Sequence, residues 1–491
     1  MFLATLDKVK RLVWTKIYAS RCLECINYCL KCVSLKFNHS LLMLNEQERF
    51  VFEGYQIDEK NSSLIFNYAM EKQEETINFQ EKIFFPEIGF CPKAVPEELL
   101  KRILENLLLV IGINYWKAFC PSNISLGDVS LSEAQAEFWN KFYSDGMGEF
   151  YYQNKMDPNG LVKFPFDAEK KEFPKIDFER KNRSLVLFGG GRDSIVTAEF
   201  LKKAGKDFVL AFVNEDDVKK NTSVLVGKET LAIERKIDQK LIELGRQNKV
   251  FKGHVPISLI WGFIYSFVAI VYDFKYIVTS NEGSSNFGNV EYRGKIINHQ
   301  WSKSWEAEKL FNNYVKNFIS PDITYFSLLR PFSEIKITEL FLKHEKYLSS
   351  FSSCNANFKM EGKLRDSLWC GHCPKCVFVF TLISAFLSKE QLIAIFGKNL
   401  YEDEKLLPVF SEILGISGIK PFECVGTPDE MRLAFTMASE KDDYKNDKII
   451  KHFQKNLLTD FEKEKLQKEL FSFSDEHSIP EEFKNSIQQN L

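Results

Sequence analysis

The chain has almost no charge of one sign to spare: 65 lysines and arginines stand against 67 aspartates and glutamates, a net charge of −2. That balance gives no global pull toward nucleic acid or anionic lipid, so neither is expected as a partner. Also missing are any Pro-, Gly- or Ser-rich linker and any repeat of fixed period, which excludes arrays and solenoids. Long hydrophobic runs are nearly absent. The one stretch that invites a membrane reading, residues 256–272 ("PISLIWGFIYSFVAIVY"), carries Ser258, Gly262 and Ser266 and lies between strand-like segments. It is therefore predicted to be a buried helix rather than a span. Lys8, Lys10, Arg11 and Lys16 are followed by no clean apolar run ending in a small-residue cleavage site, so no signal peptide is expected. The 11 cysteines are unevenly spaced, unlike a secreted disulfide framework, which points to a reducing compartment such as the cytoplasm.

What is present is a core-forming composition. With 491 residues, 45% of them apolar and 45 of them phenylalanine, the chain has the length for several domains and an aromatic-rich interior. Residues 1–45 read as a helical extension, because Cys22, Cys25, Cys29 and Cys32 step by three, four and three along one helical face. That spacing admits a metal site and equally a buried stripe of small hydrophobes. Residues 46–175 read as an α+β domain. In it "RFVFEGYQID", "SSLIFNYAME" and "ETINFQEKIFFPE" alternate as an antiparallel sheet, with turns at 58–62 and near 73, and helices follow at 96–110 and 131–143.

From 180 to 345 strand and helix alternate, the signature of a parallel α/β sheet. "SLVLF" is a predicted strand, 194–204 a helix, "DFVLAFVN" a strand, 229–247 a helix, "KVFKGHVP" a strand, 257–273 the apolar helix and "KYIVTS" a strand. Residues 346–440 read as a helical part holding a cysteine cluster, and 441–491 as a charged helical tail.

The most informative stretch is "LFGGGRDSIV", residues 187–196, where the first predicted parallel strand hands over to its helix. Three glycines cost backbone entropy in a strand or a helix. A glycine turn opening a helix aims unpaired N–H groups and the positive end of the dipole at one point, which suits a phosphate. A turn without a ligand is the alternative. Neither the Walker pattern nor the Gly-x-Gly-x-x-Gly dinucleotide pattern is met. Gly189-Gly190-Gly191-Arg192-Asp193-Ser194 instead resembles the Ser-Gly-Gly-x-Asp-Ser loop of the ATP pyrophosphatases, the PP-loop family, with Gly189 in place of the usual serine. The resemblance implies ATP and magnesium: the cradle of Gly189, Gly190, Gly191 and Ser194 on the phosphates, and Asp193 orienting the loop or a magnesium ion. Arg192 would be a variable, solvated position. Asn214, ending the second strand, would face adenine. Asn281, Glu282, Ser285 and Asn286 of "NEGSSNFGN" would supply donors and a magnesium ligand, and Arg330 of "LLRPFSEI" a cation for phosphate.

Cys354 followed by Cys370-Gly-His-Cys373-Pro-Lys-Cys376 offers four thiols with two Cys-x-x-Cys spacings, a donor set for tetrahedral zinc. Such a site contributes on the order of 10 kcal/mol to folding. An iron–sulfur cluster or free buried thiols fit the same residues, and His372 is placed to replace one thiolate. The cluster resembles that of 7-cyano-7-deazaguanine synthase, another PP-loop enzyme.

From about residue 49 to 434 an ordered motif series resembles one family, the ATP-dependent UDP-N-acetyl-α-D-muramoyl-L-alanyl-L-glutamate epimerases of peptidoglycan synthesis. The series is "FVFEGYQID", "EKIFFPE", "FYSDGMGEFYYQN", "GGGRDS", "NHQWSKSWEAE", "SLLRPFSEI", "FSSCNANF", "WCGHCPKCVFVF" and "KPFECVGTPDE". The resemblance implies that the terminal L-Glu carboxylate of a UDP-N-acetylmuramoyl dipeptide is adenylated, which removes its charge and acidifies the neighbouring Cα–H. Proton transfer then yields D-Glu, with ATP consumed to AMP and pyrophosphate. His299 is the first candidate for the base, Cys424 the second and His254 the third. Two other functions fit parts of the pattern: a nucleobase- or tRNA-modifying PP-loop enzyme, and a nucleotide-binding module without catalysis.

Overall fold

Alternation of large apolar and polar side chains starts the fold. In this computed structural model, which describes residues 48–170, 173–357 and 367–488, strands β1 (Arg49–Asp58), β2 (Ser63–Glu71) and β3 (Thr76–Phe84) form an antiparallel meander. The turn between β1 and β2 falls at 59–61, as predicted. Phe50, Phe52, Leu64, Phe66, Tyr68, Phe79 and Ile83 turn to one face and are buried there. Helix α1 (Glu97–Trp116) lies on that face. A methyl group at Gly112 would run into Phe52 and Tyr68, so glycine is what lets the helix seat this closely. A short strand β4 (Asn123–Ser125) adds to β1, and helices α2 (Glu133–Ser144) and α3 (Gly148–Gln153) follow. Ser132 and Gln135 form a reciprocal capping box that fixes the start of α2. The cysteines at 22, 25, 29 and 32, and the helix expected around them, lie outside the described residues.

The alternating half of the chain builds a parallel sheet from β5 (Ser184–Leu187), β6 (Phe208–Val213), β7 (Thr230–Lys236), β8 (Tyr276–Thr279) and, after the hairpin β9 (Val290–Tyr292)–β10 (Lys295–Ile297), β11 (Thr324–Ser327). β7 also pairs antiparallel with β3, Lys82 opposite Lys236 and Phe84 opposite Glu234. One nine-stranded sheet results, in the order β11-β8-β5-β6-β7-β3-β2-β1-β4. Successive residues of β5 feed opposite cores, Leu185 the one shared with α1 and Val186 the one shared with the C-terminal helices. A strand covered on both faces is what parallel sheets require.

Helices α4 (Arg192–Lys203), α5 (Asp217–Val226), α6 (Gln239–Arg246), α7 (Ile257–Val271), α8 (Trp305–Phe318) and α9 (Glu334–Leu342) connect or cover these strands. The apolar helix is buried as predicted, and among the described residues no helix is long and apolar enough to cross a membrane. Two expectations fail. Residues 229–247 are not a single helix: "TLAIERK" buries every second residue as β7, and only 239–246 coil, as α6. Its period of two is the deciding signal. The strand expected over 249–256 is extended chain outside any ladder. The true crossover helix, α5, went unread because its Thr222, Val224 and Val226 favour strands. Asp216 caps it and Gly227, at φ 71°, stops it.

The remaining chain is helical: α10 (Pro374–Ser384), α11 (Lys389–Phe396), α12 (Leu407–Ile413), α13 (Pro428–Ser439), α14 (Lys448–His452), α15 (Asp460–Leu470) and α16 (Glu481–Gln488). The tail is not a loose appendage. Phe483 packs its ring 4.8 Å from Tyr276 and 4.9 Å from Phe326, which covers β8 and β11.

Candidate active site

The glycine loop sits at the carboxyl end of β5, where open α/β sheets receive ligands. Gly190 has φ +73°, and a Cβ there would lie 2.8 Å from Thr222 Oγ1 and 3.0 Å from Val218 Cγ1. Only glycine fits. At Gly189 a Cβ would meet nothing within 4 Å, so the serine usual in the resembling loop would be accommodated. Gly191 begins α4 without a capping side chain, and Ser194 Oγ donates to Gly191 O at 3.0 Å. Burial works against the Asp193 charge, yet Arg192, Lys375 and Lys303 together hold its carboxyl below the usual range.

Arg192 is not solvated. It is 2% exposed, donates to Thr338 Oγ1 at 2.7 Å, and is ion-paired with Asp193 and Glu334. Proximity to two carboxylates and a hydroxyl inside the fold is the reason. It anchors the loop to α9.

The loop opens into a cavity of about 330 Å³ whose walls include Gly189, Gly191, Asp193, Ser194, Asn281, Lys303, Lys375 and Cys424. A second cavity of about 600 Å³, sharing Leu187, Gly189 and Trp261 with the first, is lined by Phe212, Asn214, Arg235 and Tyr265. Asn214, at φ 54°, spans β6 and β7: its Oδ1 accepts from Arg235 N at 2.7 Å. Glu282 is buried, with Oε2 unpartnered, and its carboxylate clusters with those of Asp193 and Glu334 within 4.8 Å. Oxygen donors so grouped suit a hard divalent cation.

Arg330 lines neither cavity. Its guanidinium binds Glu308 at 2.9 Å, Glu282 O at 2.7 Å and Ser285 Oγ at 2.9 Å, so it braces the 282–285 loop from behind. Asn286 likewise serves structure, accepting from Trp305 N at 2.7 Å.

The three candidate bases converge. His299 Nε2 lies 3.8 Å from Cys424 Sγ, its Nδ1 contacts Glu149 Oε2, and His254 Nδ1 stands 3.4 Å from the same carboxylate. Of these residues only Cys424 lines the 330 Å³ cavity. Burial opposes the thiolate, but Lys303, His299 and Lys375 overcome it and bring the thiol down to about 6. Burial also opposes the His299 cation, yet Cys424 and Glu149 lift it to about 9. His254 is pushed down to about 3 by burial and by His299 and Lys117, which makes it a neutral ring. Each member of the Cys424–His299 pair thus favours the charged form of the other, thiolate against imidazolium.

The sulfurs of Cys354, Cys370, Cys373 and Cys376 lie within 4.8 Å of one another and none is in a disulfide. Four converging thiols, two of them buried, suit a soft tetrahedral ion. His372 is turned away, its Nδ1 2.9 Å from Cys370 O, so all four donors are sulfur. The same turn carries Lys375 to the cavity wall, where its Nζ contacts Cys424 O.

Sequence reasoning missed Lys303, Lys375 and Glu149. All three lie inside the motif series, in "NHQWSKS", "CGHCPKC" and "GMGEF", and were passed over because lysine and glutamate are ordinarily solvent residues.

The class these features define is an α/β protein with its cleft beyond the carboxyl ends of parallel strands, where a cysteine and a glycine loop line one cavity. Comparison with known proteins places it further. The MurL N-terminal domain matches residues 43–328 and the MurL C-terminal domain residues 350–468. A UDP-N-acetyl-alpha-D-muramoyl-L-alanyl-L-glutamate epimerase of Xanthomonas oryzae pv. oryzae is 32% identical over 444 residues, 90% of this chain and 97% of that protein. One of the same name from Micromonospora sp. is 36% identical over 419 residues, 83% of this chain and 92% of its own length. The chain belongs to the MurL family.

Proposed function

We propose that this protein epimerises the terminal L-Glu of UDP-N-acetylmuramoyl-L-Ala-L-Glu to D-Glu, using ATP to adenylate the carboxylate and releasing pyrophosphate and AMP. The observation that carries this reading is that the glycine loop and Cys424 are walls of one 330 Å³ cavity. Activation of the carboxyl group and proton transfer at the neighbouring Cα then take place in one cavity without release of the activated group.

In this reading the backbone of Gly189–Gly191 and the start of α4 receive the phosphates, and the apolar 600 Å³ cavity beside Trp261 receives adenine. Magnesium, held by Asp193, Glu282 and Glu334, would neutralise phosphate charge. Lys303 and Lys375 add two cations where the adenylate forms. Adenylation removes the carboxylate charge that otherwise forbids ionisation at Cα, and the Cys424–His299 pair manages the proton. The cysteine cluster is assigned structural zinc. A reducing cytoplasm is the compartment that suits its free thiols.

The test is isotope exchange in heavy water with ATP, magnesium and the L,L-dipeptide substrate. Deuterium should enter Cα of the terminal glutamate only when ATP is present, and D-Glu should appear on hydrolysis. Absence of ATP-dependent mass gain together with absence of D-Glu would refute the reading.

A further inference from the structure

We propose that Cys424 captures the activated acyl group as a thioester before the Cα proton moves. This rests on the carboxylate-adenylation reading above. Of Cys424, His299 and Glu149, only Cys424 lines the cavity. His299 stands behind it with Nε2 3.8 Å from Sγ, and Glu149 stands behind His299 on Nδ1. Nucleophile, imidazole and orienting carboxylate in line is the arrangement that activates a thiol toward an acyl carbon. The flanking cations argue the same way. Lys303 and His299 make the sulfur anionic near neutrality, which supplies a nucleophile but weakens it as a base for a carbon acid.

The steps balance. Sγ attacks the acyl carbon, a C–S bond forms, the bond from that carbon to the AMP oxygen breaks, and AMP leaves with the electron pair. Lys303, on the same wall, faces the charge that develops on the acyl oxygen. Acylation also removes the anion beside His299. Burial opposes that cation, and with the thiolate gone only Glu149 still sustains it, so the ring's hold on its proton weakens and the proton passes to solvent. Neutral Nε2 then takes the Cα proton and remains an imidazolium, a proton from solvent enters the opposite face, and water attacks the acyl carbon. The C–S bond breaks, giving the free carboxylate, the restored thiolate beside the imidazolium, and both protons of the water in solution.

The experiment uses the full-length protein with magnesium, ATP and UDP-N-acetylmuramoyl-L-Ala-L-Glu, quenched rapidly in acid. The peptide containing Cys424 should gain the substrate mass less one water, hydroxylamine should remove that mass, and about one AMP per chain should appear before epimerised product. Cys424→Ala should show neither adduct nor burst. Substrate-dependent exchange of labelled pyrophosphate into ATP, measured on the same wild-type protein, separates the two readings. Exchange without adduct or burst overturns the thioester and leaves adenylation standing. Epimerisation without exchange overturns both, and an adduct that persists in Cys424→Ala overturns the assignment to this sulfur.

Discussion

Cys424 shows how far a side chain's chemistry is set by its neighbours. With its thiol at about 6 and an ordinary value of 9.0, it is mostly ionised at pH 7 and mostly protonated below pH 6. Alkylation by iodoacetamide should therefore fall as pH drops through about 6. In His299→Gln, which removes one cation from the sulfur, that midpoint should rise and labelling at pH 7 should slow roughly tenfold. An unchanged profile would show that His299 does not sustain the thiolate. Asp193→Ala should abolish AMP formation while leaving the unfolding transition nearly in place, because the side chain braces the loop rather than the core; unchanged AMP formation would remove Asp193 from the nucleotide site. Cys424, His299 and His254 were all readable in the sequence as candidates, but their order was not. Which one faces the cavity depends on where β10, α3 and the segment before α13 meet, and local spacing carries no trace of that. Arg192 was misjudged for a related reason: its partner Glu334 lies far along the chain on α9.

At the scale of elements, the loop between β5 and α4 makes a paired prediction. Gly190→Ala forces a side chain into positive φ and against Thr222, costing about 1–3 kcal/mol and the loop's shape. Gly189→Ser points into open space and should leave stability unchanged. Pyrophosphate release and thermal unfolding measured on both variants check this. The cysteine turn makes another: purified protein should hold about one zinc per chain, and Cys354→Ser should lose it together with the placement of Lys375. Elemental analysis and AMP formation read the two effects separately. Elements with a clear period were legible, β1 to β3 and the apolar α7 among them. β7 was read as helix because its charges at 234–236 disguise a period of two, and α5 was missed because β-branched residues occupy a helix that its caps define.

Across the whole molecule, the pairing of β3 with β7 decides what can be separated from what. Glu81 on β3 and Arg235 on β7 form a buried ion pair, Tyr115 donates to the other carboxylate oxygen at 2.8 Å, and Arg235 also lines the larger cavity. Glu81→Ala would strand a buried guanidinium and should cost about 3–5 kcal/mol in chemical unfolding. It should also weaken ATP binding although Glu81 touches neither cavity; unaltered binding would disconnect the pocket from the N-terminal sheet. The same seam bears on synthesis. A ribosome releases β3 long before β7, so the nascent meander must wait with one flank open to any other extended chain. Nascent chains arrested before Thr230 would keep that flank bare, and they are the species a chaperone has most reason to hold.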